Sequence, residues 1–257
     1  GFERVLLLLG YLPSVVQDYF GDGRQWGVTI EYSITSVDDE TGRRMKLAEP
    51  LVDPVFLLMY CDNYWPMPFD RMWRRYDETG AEVQLSVYRN QDGYTRHNVQ
   101  VDDEGRIIQY DRSRRAGGLA GVDIGFALVK RSTLRFLSDE NVSFESAVYP
   151  RLLADRKLYS FSTDHRYYSV GGHDRLELTR DFLKRRPTVF LDRDGVLNRK
   201  MPRADYVRSW KDWTWLPGSR EALAIFKEAG YRVVIITNQA GIARGAMSRS
   251  DLLRIHD

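Results

Sequence analysis

Apolar residues fall into two rhythms along this chain, and the switches between them mark its elements. Residues 1–11 open on the unbroken run Val5–Leu9 and read as a strand. Pro13–Phe20 reads as a helix closed by Gly21-Asp22-Gly23, and Val28–Ser33 as a strand. Met45–Leu51 predicts a short helix. Pro54–Tyr60 is a continuous apolar run ending at Cys61-Asp62, the pattern of a buried parallel strand. Phe69–Tyr76 has helical spacing and Glu82–Tyr88 alternates like a strand. Val99–Tyr110 predicts a hairpin turning at Asp102–Gly105. Val142–Leu153 and Asp174–Lys184 read as helices. Further on, Val189–Leu191 is an apolar stretch ending at Asp192, and Val233–Ile236 is an apolar, β-branched run. Between them Gly218–Gly230 reads as a helix, with apolar residues at 222, 223, 225 and 226. Strand, helix, strand implies a crossover joining two parallel strands. Ser248, with Asp251 three residues on, marks the start of a last helix. Strands alternating with helices predict an α/β protein. Arg185-Arg186-Pro187 is the natural boundary, since proline cannot continue the preceding helix. The domains expected are therefore 1–185 and 186–257.

Composition narrows the classes. The chain has 257 residues, 43% of them hydrophobic, enough for one large or two modest cores. Its 38 basic and 36 acidic residues nearly cancel, so no electrostatic platform for nucleic acid or membrane is expected. Val5–Leu9 is too short to span a bilayer and has no signal-peptide cleavage site. One cysteine, Cys61, excludes an intrachain disulfide and suits a reducing, cytoplasmic setting. On an apolar strand its thiol is expected to be buried and inert. Oligomeric state has no signature here.

The candidate chemistry is concentrated in Val189-Phe-Leu-Asp-Arg-Asp-Gly-Val-Leu-Asn198. Two aspartates spaced i, i+2 on a strand share a face. At a strand's carboxyl end they can hold one hard cation, Mg²⁺, and leave an oxygen free to attack. Asp192 would be the nucleophile, Asp194 would handle the leaving-group proton, and Gly195 would let the chain turn beside a phosphate. Thr237, Asn238 and Gln239 end the second strand and face the same crevice. A threonine hydroxyl there can hold a phosphate oxygen during attack on phosphorus.

These residues resemble the haloacid-dehalogenase (HAD) phosphatase superfamily, with Asp192, Asp194 and Thr237 matching its first two motifs. Leu191–Asn198, the stretch Trp215–Leu223 and Ile236–Gly245 resemble most closely its heptose-bisphosphate phosphatase branch. The histidinol-phosphatase branch shares the first motif and Thr237-Asn-Gln. The resemblance implies a HAD-like Rossmannoid parallel sheet, an aspartyl-phosphate intermediate, Mg²⁺ and a sugar phosphate substrate. It also implies that Arg244 contacts substrate or phosphate; otherwise Arg244 is a solvated loop residue. The superfamily's later lysine, its further acidic motif and the branch's Cys/His zinc cluster have no counterpart up to Asp257. Any Zn²⁺ site would lie in a part this sequence lacks, and the chain reads as a fragment at that end.

Residues 2–184 resemble the sugar-1-phosphate nucleotidyltransferases, through Leu6–Ser33, Lys46–Val52, Phe56–Asp62, Val122–Val129, Phe144–Leu153 and Tyr167–Leu183. This implies a Rossmann-like mixed sheet and binding of a sugar phosphate and a nucleoside triphosphate. It implies that Asp62 binds a metal, the alternative being a strand-end cap. It matches Glu145 to a sugar-contacting glutamate and places Asp123 near a sugar-contacting Asn/Asp, the alternative for both being surface acids. Three departures stand out. The family's opening Gly-x-Gly-Thr-Arg loop is not in the sequence, so the chain reads as a fragment at this end too. Arg43 and Arg44 replace small residues. Ser169 stands where a second metal aspartate is expected, and a hydroxyl is a poorer Mg²⁺ ligand. The first domain would then either transfer a nucleotide or bind a sugar phosphate without doing so.

The whole reads as a sugar-phosphate phosphatase fused to a nucleotidyltransferase-like domain, serving nucleotide-activated heptose for cell-surface glycans such as lipopolysaccharide. The alternative is a histidinol-phosphate or other small phosphomonoester phosphatase with a non-catalytic, sugar-binding or regulatory first domain. His97, His165, His173 and His256 have no ligand spacing. Trp210, Trp213 and Trp215 form either an aromatic wall over a sugar or a loop packed on the body. Arg199, Lys200 and Arg203 either draw in an anion or form a solvated loop.

Overall fold

In the computed structural model, residues 2–184, 186–202 and 205–256 are described. The chain divides after Phe182 into two compact units. The chain is a mixed α/β protein, as the pattern predicts.

The first unit begins with β1 (Arg4–Leu9), α1 (Pro13–Phe20), β2 (Thr29–Ile34) and α2 (Thr41–Leu47), followed by β3 (Val55–Met59) and β4 (Asn63–Tyr64). It continues with α3 (Phe69–Thr79), β5 (Val83–Tyr88), β6 (Val99–Val101), β7 (Ile107–Tyr110) and β8 (Val122–Lys130). It closes with α4 (Phe144–Ala154), β9 (Leu158–Thr163), β10 (Tyr168–Ser169) and α5 (His173–Leu183). β1 and β2 pair in parallel. The main sheet has the order β3-β8-β5-β9. Period-2 alternation sorts its side chains onto two faces. Val83, Leu85, Val87, Ala127 and Val129 pack with Phe144, Val148 and Leu152 of α4 and Met45 of α2. Ile124, Phe126 and Leu128 pack on the other side with Met72 and Tyr76 of α3. Gln84 sits buried on that second face and donates to the Met72 carbonyl at 2.9 Å, so its amide nitrogen is not stranded.

Several expectations change. β3 pairs antiparallel with β8, not in parallel. Nor is it buried: Val55–Leu58 are half-buried and Met59 is exposed, because β3 lies at the edge of the sheet, and periodicity carries neither strand direction nor strand order. The strand ends at Met59, so Cys61 lies beyond it and is exposed rather than buried. The helix expected at Met45–Leu51 starts at Thr41 and gives way to a 3-10 turn at Glu49–Leu51. Pro50 removes a donor there and disfavours helical backbone at Glu49. β8 and β9 are strands that the pattern did not single out. Gly125, at φ 79°, and the hydroxyls Ser160 and Ser162 break the apolar rhythm. The hairpin over β6 and β7 forms as expected.

The second unit contains β11 (Thr188–Asp192), α6 (Ser219–Glu228), β12 (Arg232–Ile236), α7 (Ala240–Ala243) and α8 (Arg249–His256). β11 and β12 are parallel, with Asp192 opposite Ile236, as the strand–helix–strand reading requires. Gly218 takes φ 80° at the start of α6, a conformation that favours glycine. Of the four apolar positions on α6, Leu223 and Phe226 are half-buried while Ala222 and Ile225 are exposed. Ser248 caps α8: its hydroxyl accepts from the Asp251 N–H at 3.1 Å, and its own N–H donates to the Asp251 carboxylate at 3.0 Å. A small core of Val207, Met247 and Ile255 gathers Met201, Trp213, Ile242 and Leu252. No helix among the described residues is long and apolar enough to cross a membrane.

Candidate active site

β11 delivers Asp192 as its last residue, and Thr237 follows directly on the end of β12. Parallel pairing therefore places both at one carboxyl end. Asp192 is exposed and accepts the Arg193 N–H on Oδ1 at 2.6 Å. Among the described residues, Oδ2 takes no hydrogen bond. The i, i+2 argument needs correction, because β11 stops at Asp192 and Asp194 lies in the turn beyond it. Asp194 is bridged to Asn198 instead and is half-buried.

The Asp194 carboxylate is held from three sides. Arg193 donates from Nη2 to Oδ2 at 2.9 Å and to Oδ1 at 3.1 Å, and from Nε to Oδ2 at 3.3 Å. Asn198 Nδ2 donates to Oδ1 and Gln239 Nε2 to Oδ2, each at 2.9 Å. Burial acts to raise this carboxyl. The hydrogen bonds from Asn198, Arg193 and Gln239 and the arginine's charge outweigh it, so the group sits below the usual carboxylate range. Gln239 also donates to Thr237 Oγ1 at 2.6 Å. Asp194, Gln239 and Thr237 thus form one bonded group, while Asn238 is exposed beside it.

Arg244 is exposed on the residue after α7, and its Nη1 donates to the Tyr206 hydroxyl at 2.8 Å. The Tyr206 ring lies on Gly241, where an added Cβ would meet ring carbons at 2.9–3.3 Å. Trp213 packs into the small core and touches the rings of Trp210 and Trp215, the packing alternative for this cluster. Arg199 and Lys200 are exposed; Arg203 lies outside the described residues, as does Arg185 of the boundary.

The first unit gathers a second constellation. Tyr60 donates to the Glu145 carboxylate, and Tyr110 donates to Asp123 Oδ2 at 3.4 Å. Asp123 Oδ1 accepts the Gly125 N–H at 3.0 Å. Burial pushes Asp123 up to about 6 against that bond, and the Glu145 charge pushes the same way. Burial and Glu145 likewise raise Tyr60. Gly125 permits the arrangement, since a Cβ there would meet the Tyr60 ring at 2.9 Å. Asp62 and Ser169 come together across the β4–β10 pair: a Cβ on Gly171 would lie 3.4 Å from Asp62 Oδ2 and 3.3 Å from Ser169 Oγ. Arg44 turns back on its own loop. It donates to Thr35 Oγ1 and to the Ser36 and Asp39 carbonyls at 2.8–2.9 Å, filling the space over Gly10. Arg43 pairs with Asp39 at 3.0 Å.

Among the described residues, no three His, Cys, Asp or Glu side chains gather as a metal cage. The donor set at Asp192 still fits Mg²⁺, which takes one or two carboxylates and keeps waters. The sequence reading missed Arg193 and Asn198, both buried, and Tyr60, Tyr110 and Tyr206. Arg193 and Asn198 were visible inside the aspartate motif. The tyrosines, far apart in sequence, carried no local signal.

No protein-family model matches the chain. Its C-terminal part is similar to curated heptose bisphosphate phosphatases. It is 46% identical over 68 residues to the D-glycero-alpha-D-manno-heptose-1,7-bisphosphate 7-phosphatase of Mycobacterium tuberculosis, a match covering 26% of this chain and 35% of that protein. The chain thus spans about a third of the length of that curated relative. In structure it is similar to HddC from Yersinia pseudotuberculosis, with TM-score 0.58 and 15% identity, covering 72% of this chain and 80% of that one. It is also similar to the inositol-1-phosphate CTP transferase from T. maritima, with TM-score 0.55 and 17% identity, covering 67% of this chain and 72% of that one. At these identities the likeness concerns fold alone. The chain joins a nucleotidyltransferase-like fold to a segment similar in sequence to heptose bisphosphate phosphatases.

Proposed function

We propose that the protein is an enzyme whose second unit hydrolyses a sugar phosphomonoester, most specifically the 7-phosphate of a D-glycero-D-manno-heptose 1,7-bisphosphate. The observation that carries this is the bonded group of Asp194, Gln239 and Thr237 near Asp192, whose Oδ2 takes no hydrogen bond among the described residues, within the segment similar to those phosphatases. The same similarity favours a heptose over histidinol phosphate.

In this reading Asp192 Oδ2 attacks phosphorus and the sugar oxygen leaves, taking a proton from Asp194. Water then attacks the aspartyl-phosphate, giving a proton back to Asp194 and releasing phosphate and Asp192. Arg193, Asn198 and Gln239 favour the charged form of Asp194, which suits proton acceptance in the second half-reaction and opposes the protonation that the first requires. Thr237 and Asn238 would hold phosphoryl oxygens, and Arg244, steadied by Tyr206, would meet the anionic substrate. Asp192 and Asp194 would hold Mg²⁺, which when bound supplies charge neutralisation at the phosphoryl oxygens.

The first unit would take the resulting sugar-1-phosphate, with Asp123 and Glu145 at its sugar and Asp62 toward a metal and a nucleoside triphosphate. Removing one phosphate yields the substrate such a fold would activate, and the setting would be cytoplasmic synthesis of activated heptose for surface glycans. The test is phosphate release by the full-length protein from heptose 1,7-bisphosphate with Mg²⁺. Release is expected, and Asp192→Asn is expected to abolish it. No release, or undiminished release by the variant, overturns the reading.

A further inference from the structure

Gln239 stands between two groups whose hydrogen-bonding roles are chemically fixed. A guanidinium only donates, and an ionised carboxylate only accepts. Gln239 Oε1 accepts from Arg193 Nη2 at 3.0 Å, and its Nε2 donates to Asp194 Oδ2 at 2.9 Å. The two ends of the amide are thereby assigned and cannot exchange. The second hydrogen on Nε2 goes to Thr237 Oγ1 at 2.6 Å. The threonine oxygen is therefore an acceptor toward Gln239, and its own hydrogen remains to be donated. Among the described residues no hydrogen bond uses it.

Arg193 is built to set this direction. It is 1% exposed, lies with its guanidinium 5.8 Å from the Trp213 ring centroid, and turns Nε and Nη2 to Asp194 and Gln239 and Nη1 to the His256 ring. Lysine would supply the charge without the planar fork that reaches both partners.

We propose that Arg193 and Gln239 are positioning residues that fix the Asp194 carboxylate and make the Thr237 hydroxyl a dedicated donor to an incoming phosphoryl oxygen. This deepens the phosphatase reading and rests on it. Toward phosphate, Gln239 then acts through Thr237, not by touching substrate.

The test is binding of inorganic phosphate to the full-length protein in Mg²⁺ buffer, by calorimetry, for wild type, Gln239→Met, Thr237→Val and the double variant. Gln239→Met adds no charge and removes the donor. It is expected to weaken phosphate by about tenfold, the scale of one hydrogen bond to a charged group. The double variant is expected to bind no worse than Thr237→Val alone, because the glutamine's effect passes through that hydroxyl. A purely structural role would weaken both backgrounds alike. Urea midpoints monitor folding. Should Gln239→Met fail to fold, Gln239→Glu replaces it. Its carboxylate can pair with Arg193 and would draw the threonine hydrogen inward, so phosphate binding is expected to be lost. Unchanged binding by the Gln239 variant, additive losses in the double variant, or no phosphate binding by wild type overturns the proposal. Failure of the phosphatase reading is distinguishable: the wild type would show the coupled binding pattern and hydrolyse no sugar phosphate.

Discussion

Arg193 and Asp194 are consecutive in sequence, yet the guanidinium of one clasps both carboxylate oxygens of the other at 2.9–3.3 Å. The arginine is 1% exposed and is the largest fully buried side chain in the described chain. A buried cation persists only with partners that satisfy it. Asp194, Gln239 and the His256 ring, at 3.4 Å from Nη1, provide them. Removing the cation strands these groups. Arg193→Met is expected to destabilise the second unit by about 3 kcal/mol or more, with Arg193→Lys losing less. Urea denaturation followed by tryptophan fluorescence measures both.

Asp123 gives the first unit a pH dependence of calculable sign. Its folded pKa, about 6, lies above the ordinary value because burial and Glu145 disfavour its charge. The folded state therefore binds more protons than the unfolded state between about pH 4 and 6. Stability is expected to fall as pH rises through that window and to level off above it, by on the order of 3 kcal/mol in total. Asp123→Asn is expected to flatten this slope. Unfolding free energies at pH 4, 5, 6 and 7 for both proteins provide the check.

Asp62 Oδ2 and Ser169 Oγ lie 3.4 Å and 3.3 Å from the place a Cβ on Gly171 would occupy. Ser169→Asp replaces a neutral hydroxyl with a hard anionic ligand. It is expected to tighten Mn²⁺ binding to the first unit by about tenfold, a gain of about 1.4 kcal/mol. Calorimetric titration of the variant against wild type reads it directly, and Asp62→Asn in the Ser169→Asp background should cancel the gain.

Gly241 gives the Tyr206 ring its seat. Gly241→Ala places a methyl 2.9–3.3 Å from ring carbons, so the ring must shift and its bond to Arg244 must lengthen or break. A stability cost of about 1–3 kcal/mol is expected from overpacking. Weaker sugar-phosphate binding should accompany it, seen as a raised KM in the hydrolysis assay. Tyr206→Phe is expected to reproduce the KM change with little loss of stability.

The chain's own order of residues determined a good deal of this protein. The α/β class, helices such as α1 and α6, the hairpin at 99–110 and the parallel pairing of β11 with β12 all follow from local periodicity and turn chemistry, which act within a few residues. The aspartate motif and Thr237 were legible because strand ends in parallel sheets converge. What tertiary structure alone decided is of another kind. It set the direction of β3, left Cys61 in solvent, and closed Arg44 over Gly10. It brought Tyr60 to Glu145 across 85 residues and Gln239 to Asp194 across 45. Periodicity encodes which side of an element is apolar. It carries no information on which partner, remote in sequence, will satisfy a buried donor, because that choice is made only when the elements pack.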